Sequence, residues 1–450
     1  MNSVDELGRT LPLFASLPMI GLVTAAVLLA MRTLPSAAGR YVLLAIWLRI
    51  VLSALHDFSF KSSPLGLSWN ALGSIAAAGL GLLVVRRRSL FDPALVPFLL
   101  LFPVMIVSGV VNGEVPALAT ALTKYAYLLV LILAVADAVE DVGPDRLLRA
   151  VLVPFALALG LQALSLLLGV AKANESDGSA SYIGGFSREA AFSVTLAAAV
   201  LAECLVQRGR LVSKFALITL GLLGIFLANY RTAILAVMPL VGVIVLTDVP
   251  RRFVAAQRGL VVGAMALAVV AAGLAGAIAG RERFADVGAV ASGQAVLIQR
   301  PELFSDAERN VMSGRPVIWS EFYYAWADSG DVRRLVGHGP EASENYFTHY
   351  AHNTLIAALF ETGLLGALAM LFLWFWMIGL ALLARGGPRL ELAAGHLAFL
   401  ILNMATMPMW MIEGMIFYGL LCGYTVWAFK RSRAAAAPEP ARFGPAVRAA

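Results

Sequence analysis

Apolar stretches of roughly twenty residues recur along this chain, separated by short polar or basic connections. They cover about 11–31, 41–56, 69–85, 95–111, 117–136, 148–170, 190–207, 215–229, 232–247, 259–280, 360–384, 391–411 and 414–429. An α-helix rises about 1.5 Å per residue and the bilayer hydrocarbon is about 30 Å thick, so each stretch is near the length of one crossing. Runs of this length without strand alternation predict helices, because a helix satisfies its own backbone in lipid. The pattern therefore reads as an all-α polytopic membrane protein with about 12–13 transmembrane helices and one large helical loop.

Basic residues fall on alternate connections: Arg32 and Arg40; Arg86 to Arg88; Arg146 and Arg149; Arg208, Arg210 and Lys214; Arg251, Arg252 and Arg258; Arg385 and Arg389; Lys430, Arg431 and Arg433. By the positive-inside rule these seven connections are cytoplasmic. The opposite face carries the connection 171–189, the turn at Asn229-Tyr230-Arg231, and a long insert. The chain divides accordingly into an N-terminal bundle of about ten helices at 1–280, a large loop with amphipathic helices at 281–359, C-terminal transmembrane helices at 360–430, and a tail at 431–450. The tail is rich in Ala and Pro and is expected to be disordered in the cytoplasm. The first apolar block is too long for a signal-peptide core and reads as a retained helix.

The insert concentrates the charge that a bilayer excludes. Three of the five histidines (His338, His349 and His352) lie in it, with Arg281, Arg283, Arg300, Arg309, Arg315, Arg333 and Arg334. Ser313-Gly314-Arg315-Pro316 predicts a helix start, with a capping residue before a proline suited to the first turn. Continued to Asp328, that helix places Arg315, Trp319, Phe322 and Trp326 on one face by their spacing. Such an aromatic face suits the membrane interface or stacking on sugar rings, and the two uses are compatible. Gly337-His338-Gly339-Pro340 predicts a tight turn, and a second helix is expected to begin near Ala351 and run into the membrane, placing His352 at the mouth of a span.

Composition agrees with the membrane reading. Of 450 residues, 60% are hydrophobic and 14% charged, against roughly 45–50% and about 25% in soluble domains. The net charge of +6 reflects loop arginines that set topology, and no nucleic-acid partner is expected. Cys204 and Cys422 both sit in apolar segments, which argues against a disulfide framework.

Four positions carry candidate chemistry. His352 has an imidazole that titrates near neutrality and can take a proton from a hydroxyl, although a histidine at a helix end also serves as a structural hydrogen-bonding group. Arg231 at a tight turn between spans, Arg315 at the start of the aromatic helix, and Arg188 after the Gly184-Gly185 turn present guanidinium forks suited to phosphate or pyrophosphate. Internal salt bridges or lipid headgroups are the alternative partners for these arginines. His349 with Glu341 or Glu344 matches no established metal-ligand spacing, so no metal or cofactor is expected. Arg49 and Lys124 lie within spans, where charge faces the bundle interior or a cavity.

Short motifs in a fixed order carry a resemblance to a known group. Tyr230-Arg231-Thr232-Ala233, Gly314-Arg315-Pro316-Val317-Ile318-Trp319, Gly337-His338-Gly339, His352-Asn353-Thr354-Leu355 and Glu361-Thr362-Gly363-Leu364-Leu365-Gly366 together resemble the O-antigen ligase and Wzy-type polysaccharide polymerase superfamily of bacterial inner membranes. The likeness is close over about 180–385, and the N-terminal third matches only as a set of spans.

The resemblance implies a metal-independent, inverting, GT-C-like glycosyltransferase whose loop and active site face the periplasm. Its donor would be an undecaprenyl-diphosphate-linked oligosaccharide. The acceptor would be a growing polymer in a polymerase or lipid A core in a ligase, with membrane lipids and other polysaccharide-export proteins as further partners. His352 would be the general base, Arg231, Arg315 and Arg188 the diphosphate ligands, and Trp319, Phe322, Trp326, His338 and His349 acceptor or sugar contacts. The slight preference is for Wzy-type polymerisation of exopolysaccharide or O-antigen units. A lipid-linked sugar transporter, motivated by Arg49 and Lys124, is the competing class. One departure stands out: thirteen spans put the N-terminus outside, whereas the superfamily is drawn with about twelve and a cytoplasmic N-terminus.

Overall fold

The computed structural model describes residues 11–173, 180–279, 296–385 and 388–436. Arg281, Arg283 and the tail beyond residue 436 lie outside the described residues. Every expected span falls on a helix. Ten precede the loop: α1 Leu13–Thr33, α2 Ala37–Ala54, α3 Trp69–Val84, α4 Val96–Asn112, α5 Val115–Val142, α6 Pro144–Leu167, α7 Glu189–Leu205, α8 Leu211–Leu227, α9 Arg231–Thr247 and α10 Ala255–Ala279. The loop contributes α11 Arg315–Ala327, α12 Asp331–Val336 and α13 Ser343–Tyr346, and α14 Thr354–Leu383, α15 Arg389–Ala405 and α16 Ile412–Ala436 follow. The strands β1 Lys172–Ala173 and β2 Ala180–Ser181 form a small antiparallel pair.

Eight helices, α1, α2, α4, α5, α6, α9, α14 and α16, are long and apolar enough to cross a membrane. The chain is thus an all-α polytopic membrane protein. α3, α7, α8 and α15 have 16 or 17 residues, about 25 Å at 1.5 Å per residue. In α7 the shortness has a physical basis: it is buried along nearly its whole length, so neighbouring helices, not lipid, cover it.

The bundle is built around α16, which packs along α5. Gly419 and Gly423 allow that approach. A Cβ at Gly419 would lie 2.6 Å from the Leu131 side chain, and one at Gly423 would lie 2.6 Å from the Ile132 carbonyl oxygen. Small residues four apart bring two backbones together where lipid offers no hydrophobic drive between helices.

The arginine-bearing connections meet at one end of the bundle. The connections following α5, α7, α9 and α14, with the ends of α1 and α16, border one cavity, and Arg86 after α3 pairs with Asp141 near the end of α5. The two intramembrane cations of the first third are bonded internally. Arg49 donates to the Asn70 carbonyl at 2.8 Å, to the Asn70 side-chain oxygen at 2.7 Å and to Ser74 at 3.0 Å, and Lys124 pairs with Glu341.

At the other end the loop is latched into a break in α14. Gly363 has φ 67 and ψ −166, which interrupts the helical bonding and frees carbonyls one turn earlier. His338 N–H donates to the Phe360 carbonyl and Gly339 N–H to the Glu361 carbonyl, both at 2.9 Å. The approach is so close that a Cβ on Gly337 would meet the Glu361 carbonyl at 2.3 Å. The Glu361 carboxylate accepts from Ser343 of α13 and, at 3.1 Å, from the Trp410 indole. Two separated glycine motifs therefore form one joint.

Candidate functional site

Four helices start at the loop end of the bundle and point those starts at one hollow of about 950 Å³. The sequence dictates each start locally. α7 follows Gly184 and Gly185, both at positive φ. A Cβ on Gly185 would lie 2.7 Å from the Ala54 carbonyl, so only glycine lets this turn press on α2 and deliver Arg188 as the N-cap of α7. α9 begins at Arg231 with Tyr230 as N-cap, and the Tyr230 hydroxyl is hydrogen-bonded to Thr406.

α11 begins at Arg315 as expected, but its N-cap is Gly314 and not Ser313. Met312, Ser313 and Gly314 all have left-handed backbones, with φ 50, 59 and 78, so the chain coils sharply into the helix. α14 begins at Thr354, three residues later than expected, because the Asn353 side chain accepts from the Leu355 and Ile356 N–H groups and caps the helix there. His352 is thereby held just outside the first turn, with φ 52.

The hollow gathers Arg188, Arg231, Arg315, His349, His352 and Trp319. It does not include Phe322, Trp326 or His338. Phe322 stacks on Phe347 with ring centroids 3.9 Å apart, the Trp326 indole donates to the Arg334 carbonyl at 2.9 Å, and His338 stacks on Phe360 with centroids 4.4 Å apart. These three hold the loop together.

Helix starts carry unsatisfied N–H groups and the positive end of the peptide dipole, each a ready partner for an anion. Placing three arginines at the same spot, with Glu189 and Glu321 as the acids beside them, leaves the hollow with a surplus of cationic groups. Among the described residues, Arg315 forms no ion pair with a carboxylate. The Trp319 indole N–H, buried beside it, likewise has no hydrogen-bond partner among the described residues. Leu235, Ile401 and Met404 extend the lining into the membrane-crossing part, and Leu235 is exposed.

His352 is largely withdrawn from water beside two of these arginines. Burial first, then the charges of Arg315, Arg188 and His349, push its pKa down from 6.5 to about 4, so the ring is neutral and able to accept a proton at neutral pH. Tyr350 lies against it with ring centroids 3.9 Å apart, and the Arg188 guanidinium sits 5.1 Å from the centre of the Tyr350 ring, a cation–π distance. Backbone strain is concentrated here as well. Of the five non-glycine residues with positive φ among the described residues, Asn229, Met312, Ser313 and His352 line this hollow; such strain persists only where the surroundings over-determine it.

Several lining residues escape the sequence reading. Tyr350 sits two positions before His352 and carries no signal beyond being aromatic, while Glu189 and Glu321 are acids that bring negative charge to the same hollow. Asn353 was legible as a capping residue type directly after His352.

Fold and site together define a multi-pass helical membrane protein with an arginine-rich hollow at one end. Residues 215–371 match the family model for O-antigen ligase, and over that segment the resemblance to the O-antigen ligase and Wzy-type superfamily holds. The matched segment contains Arg231, Arg315 and His352, and Arg188 precedes it. A search of curated proteins found no match.

Proposed function

We propose that this protein is a metal-independent inverting glycosyltransferase that moves an undecaprenyl-diphosphate-linked oligosaccharide onto the hydroxyl of an acceptor sugar. The observation that carries the reading is the convergence of Arg188, Arg231, Arg315 and His352, from four separate helix starts, on one hollow. The three guanidinium groups and the helix starts hold the donor diphosphate. His352 takes the acceptor O–H proton as that oxygen attacks the anomeric carbon, and the bond from that carbon to the phosphate oxygen breaks with its electron pair leaving on the diphosphate. The apolar lining at Leu235, Ile401 and Met404 gives the polyprenyl tail a way out to lipid. The positive-inside rule puts the arginine-bearing connections in the cytoplasm, and hence the hollow on the periplasmic side of the bacterial inner membrane.

Our first reading is polymerisation, in which the acceptor is another lipid-linked repeat unit. Ligation to lipid A core is the second, favoured by the description of the matched family. The transporter reading loses its motivation, since Arg49 and Lys124 are bonded internally. Purified protein supplied with synthetic lipid-linked repeat units, with and without lipid A core, separates the two by product size. Chains lengthening on the carrier mean polymerase, transfer to core alone means ligase, and absence of transfer in both arms overturns the proposal.

A further inference from the structure

The end of the bundle opposite the hollow carries a second concavity that the transfer chemistry does not use. The two ends lie at opposite termini of the same helices: α9 starts at Arg231 beside the hollow and leads to Arg251, and α14 starts after His352 and leads to Arg385. The second concavity is a bowl of about 1140 Å³ lined by Arg146, Arg149, Arg208, Arg251, Arg385 and Arg431. A neighbouring bowl of about 1010 Å³ shares Arg149, Arg208 and Arg251, adds Arg210, Arg252 and Lys214, and also holds the acids Glu203 and Asp248, the second of which is paired with Lys214. Asp145 is the one acid that lines the first bowl among the described residues, and it is already occupied in accepting the Gln207 and Arg208 N–H groups at 2.6 and 3.2 Å.

A positive-inside bias requires arginines in these connections; it does not require them to face one concavity. Some are satisfied by the protein: Arg251 pairs with Asp248 at 3.2 Å, and Arg431 stacks over Trp427 at 5.3 Å. Among the described residues, Arg149, Arg208 and Arg385 form no ion pair. The walls combine apolar Ala30, Val142 and Ala428 with Tyr424 and Trp427, the residue types of a membrane–water boundary. A soluble anion has no use for such walls, whereas a phospholipid sets its phosphate among guanidinium groups and its glycerol and chains along them.

We infer that the double bowl binds an anionic membrane phospholipid, and that its two arginine-lined halves suit a lipid with two phosphodiester groups, of the cardiolipin class. The site stands apart from the proposed transfer reaction and is tested without it. Protein is purified in detergent, stripped, and presented with nanodiscs of phosphatidylcholine containing either cardiolipin or phosphatidylglycerol, and bound lipid is counted by native mass spectrometry after release.

The expected result is selective retention of cardiolipin by the wild type. In the combined variant Arg149→Gln/Arg208→Gln/Arg385→Gln, retention falls at least about tenfold, the loss of a few charge-assisted hydrogen bonds. Arg258→Gln, at the same end but outside both bowls, keeps full retention. Equal loss in Arg258→Gln, no preference over phosphatidylcholine, or displacement of the lipid by millimolar pyrophosphate each overturns the inference. Should the triple variant misfold, Arg385→Gln alone serves, with retention again required to fall while the thermal transition is kept.

Discussion

At the residue scale, His352 joins two opposing requirements of the proposed transfer. A proton acceptor must be neutral when the acceptor sugar arrives, and burial beside Arg315 and Arg188 makes it so by holding its pKa at about 4. A base that weak drives proton transfer poorly, but a bound diphosphate offsets the same two guanidinium charges and lifts the part of the depression they cause, while the larger part due to burial stays. The acid limb of kcat, which reports the loaded enzyme, is therefore expected at higher pH than the acid limb of kcat/KM, which reports the free one. Arg315→Gln should raise the free-enzyme limb while weakening donor binding. A pH series on both parameters checks the two statements together. His352→Ala is expected to lower kcat by roughly 10²–10⁴-fold with donor affinity nearly unchanged. One position later, Asn353→Ala removes the cap that fixes His352, costs about 1 kcal/mol of helix stability, and should lower kcat far more than it weakens donor binding, measured by titration with a non-transferable diphosphate lipid.

At the element scale, the joint between Gly337-His338-Gly339 and Glu361-Thr362-Gly363 decides where the loop sits above α14. Gly363 has a backbone that side chains rarely adopt, and a Cβ there would meet the Leu335 carbonyl oxygen at 2.3 Å. Gly363→Ala is expected to cost about 1–3 kcal/mol from backbone strain alone. It should also unlatch the loop, so that protease cleavage between α11 and α13 accelerates while the membrane helices remain protected. Limited proteolysis with mass mapping reads this directly. Both glycine motifs were visible in the sequence as short patterns, but their contact was not: it depends on a helix break whose freed carbonyls accept N–H groups from a segment more than twenty residues away. His338 shows the same limit. Its residue type suggests chemistry, and its neighbours Phe360 and Tyr346 make it a packing group.

At the scale of the whole molecule, α16 is the axis on which the bundle closes, and its tolerance is set by Gly419 and Gly423 against α5. Gly423→Leu is expected to abolish monodisperse protein after detergent extraction, or to lower its thermal transition markedly, since overpacking a tight seam costs about 1–3 kcal/mol or more. Size-exclusion profiles and thermal melts provide the check. The thirteen expected helices were legible as apolar runs, eight of them long enough among the described residues to cross a bilayer, and the two ends were legible because arginines mark one of them. Which of four helix starts would meet was not legible, since Arg188, Arg231, Arg315 and His352 are brought together by interhelical packing that leaves no periodic trace in the chain.

In the proposed transfer the grip on the donor is made of guanidinium groups and peptide dipoles, neither of which titrates in any habitable medium. The group that must take up a proton in that transfer is His352, whose pKa is held at about 4 in the free enzyme. With the proposed periplasmic orientation the hollow meets the acidity of the surroundings, so an acid shock should stall the proposed glycan transfer with carriers still loaded in place, and transfer should resume on neutralisation without fresh loading.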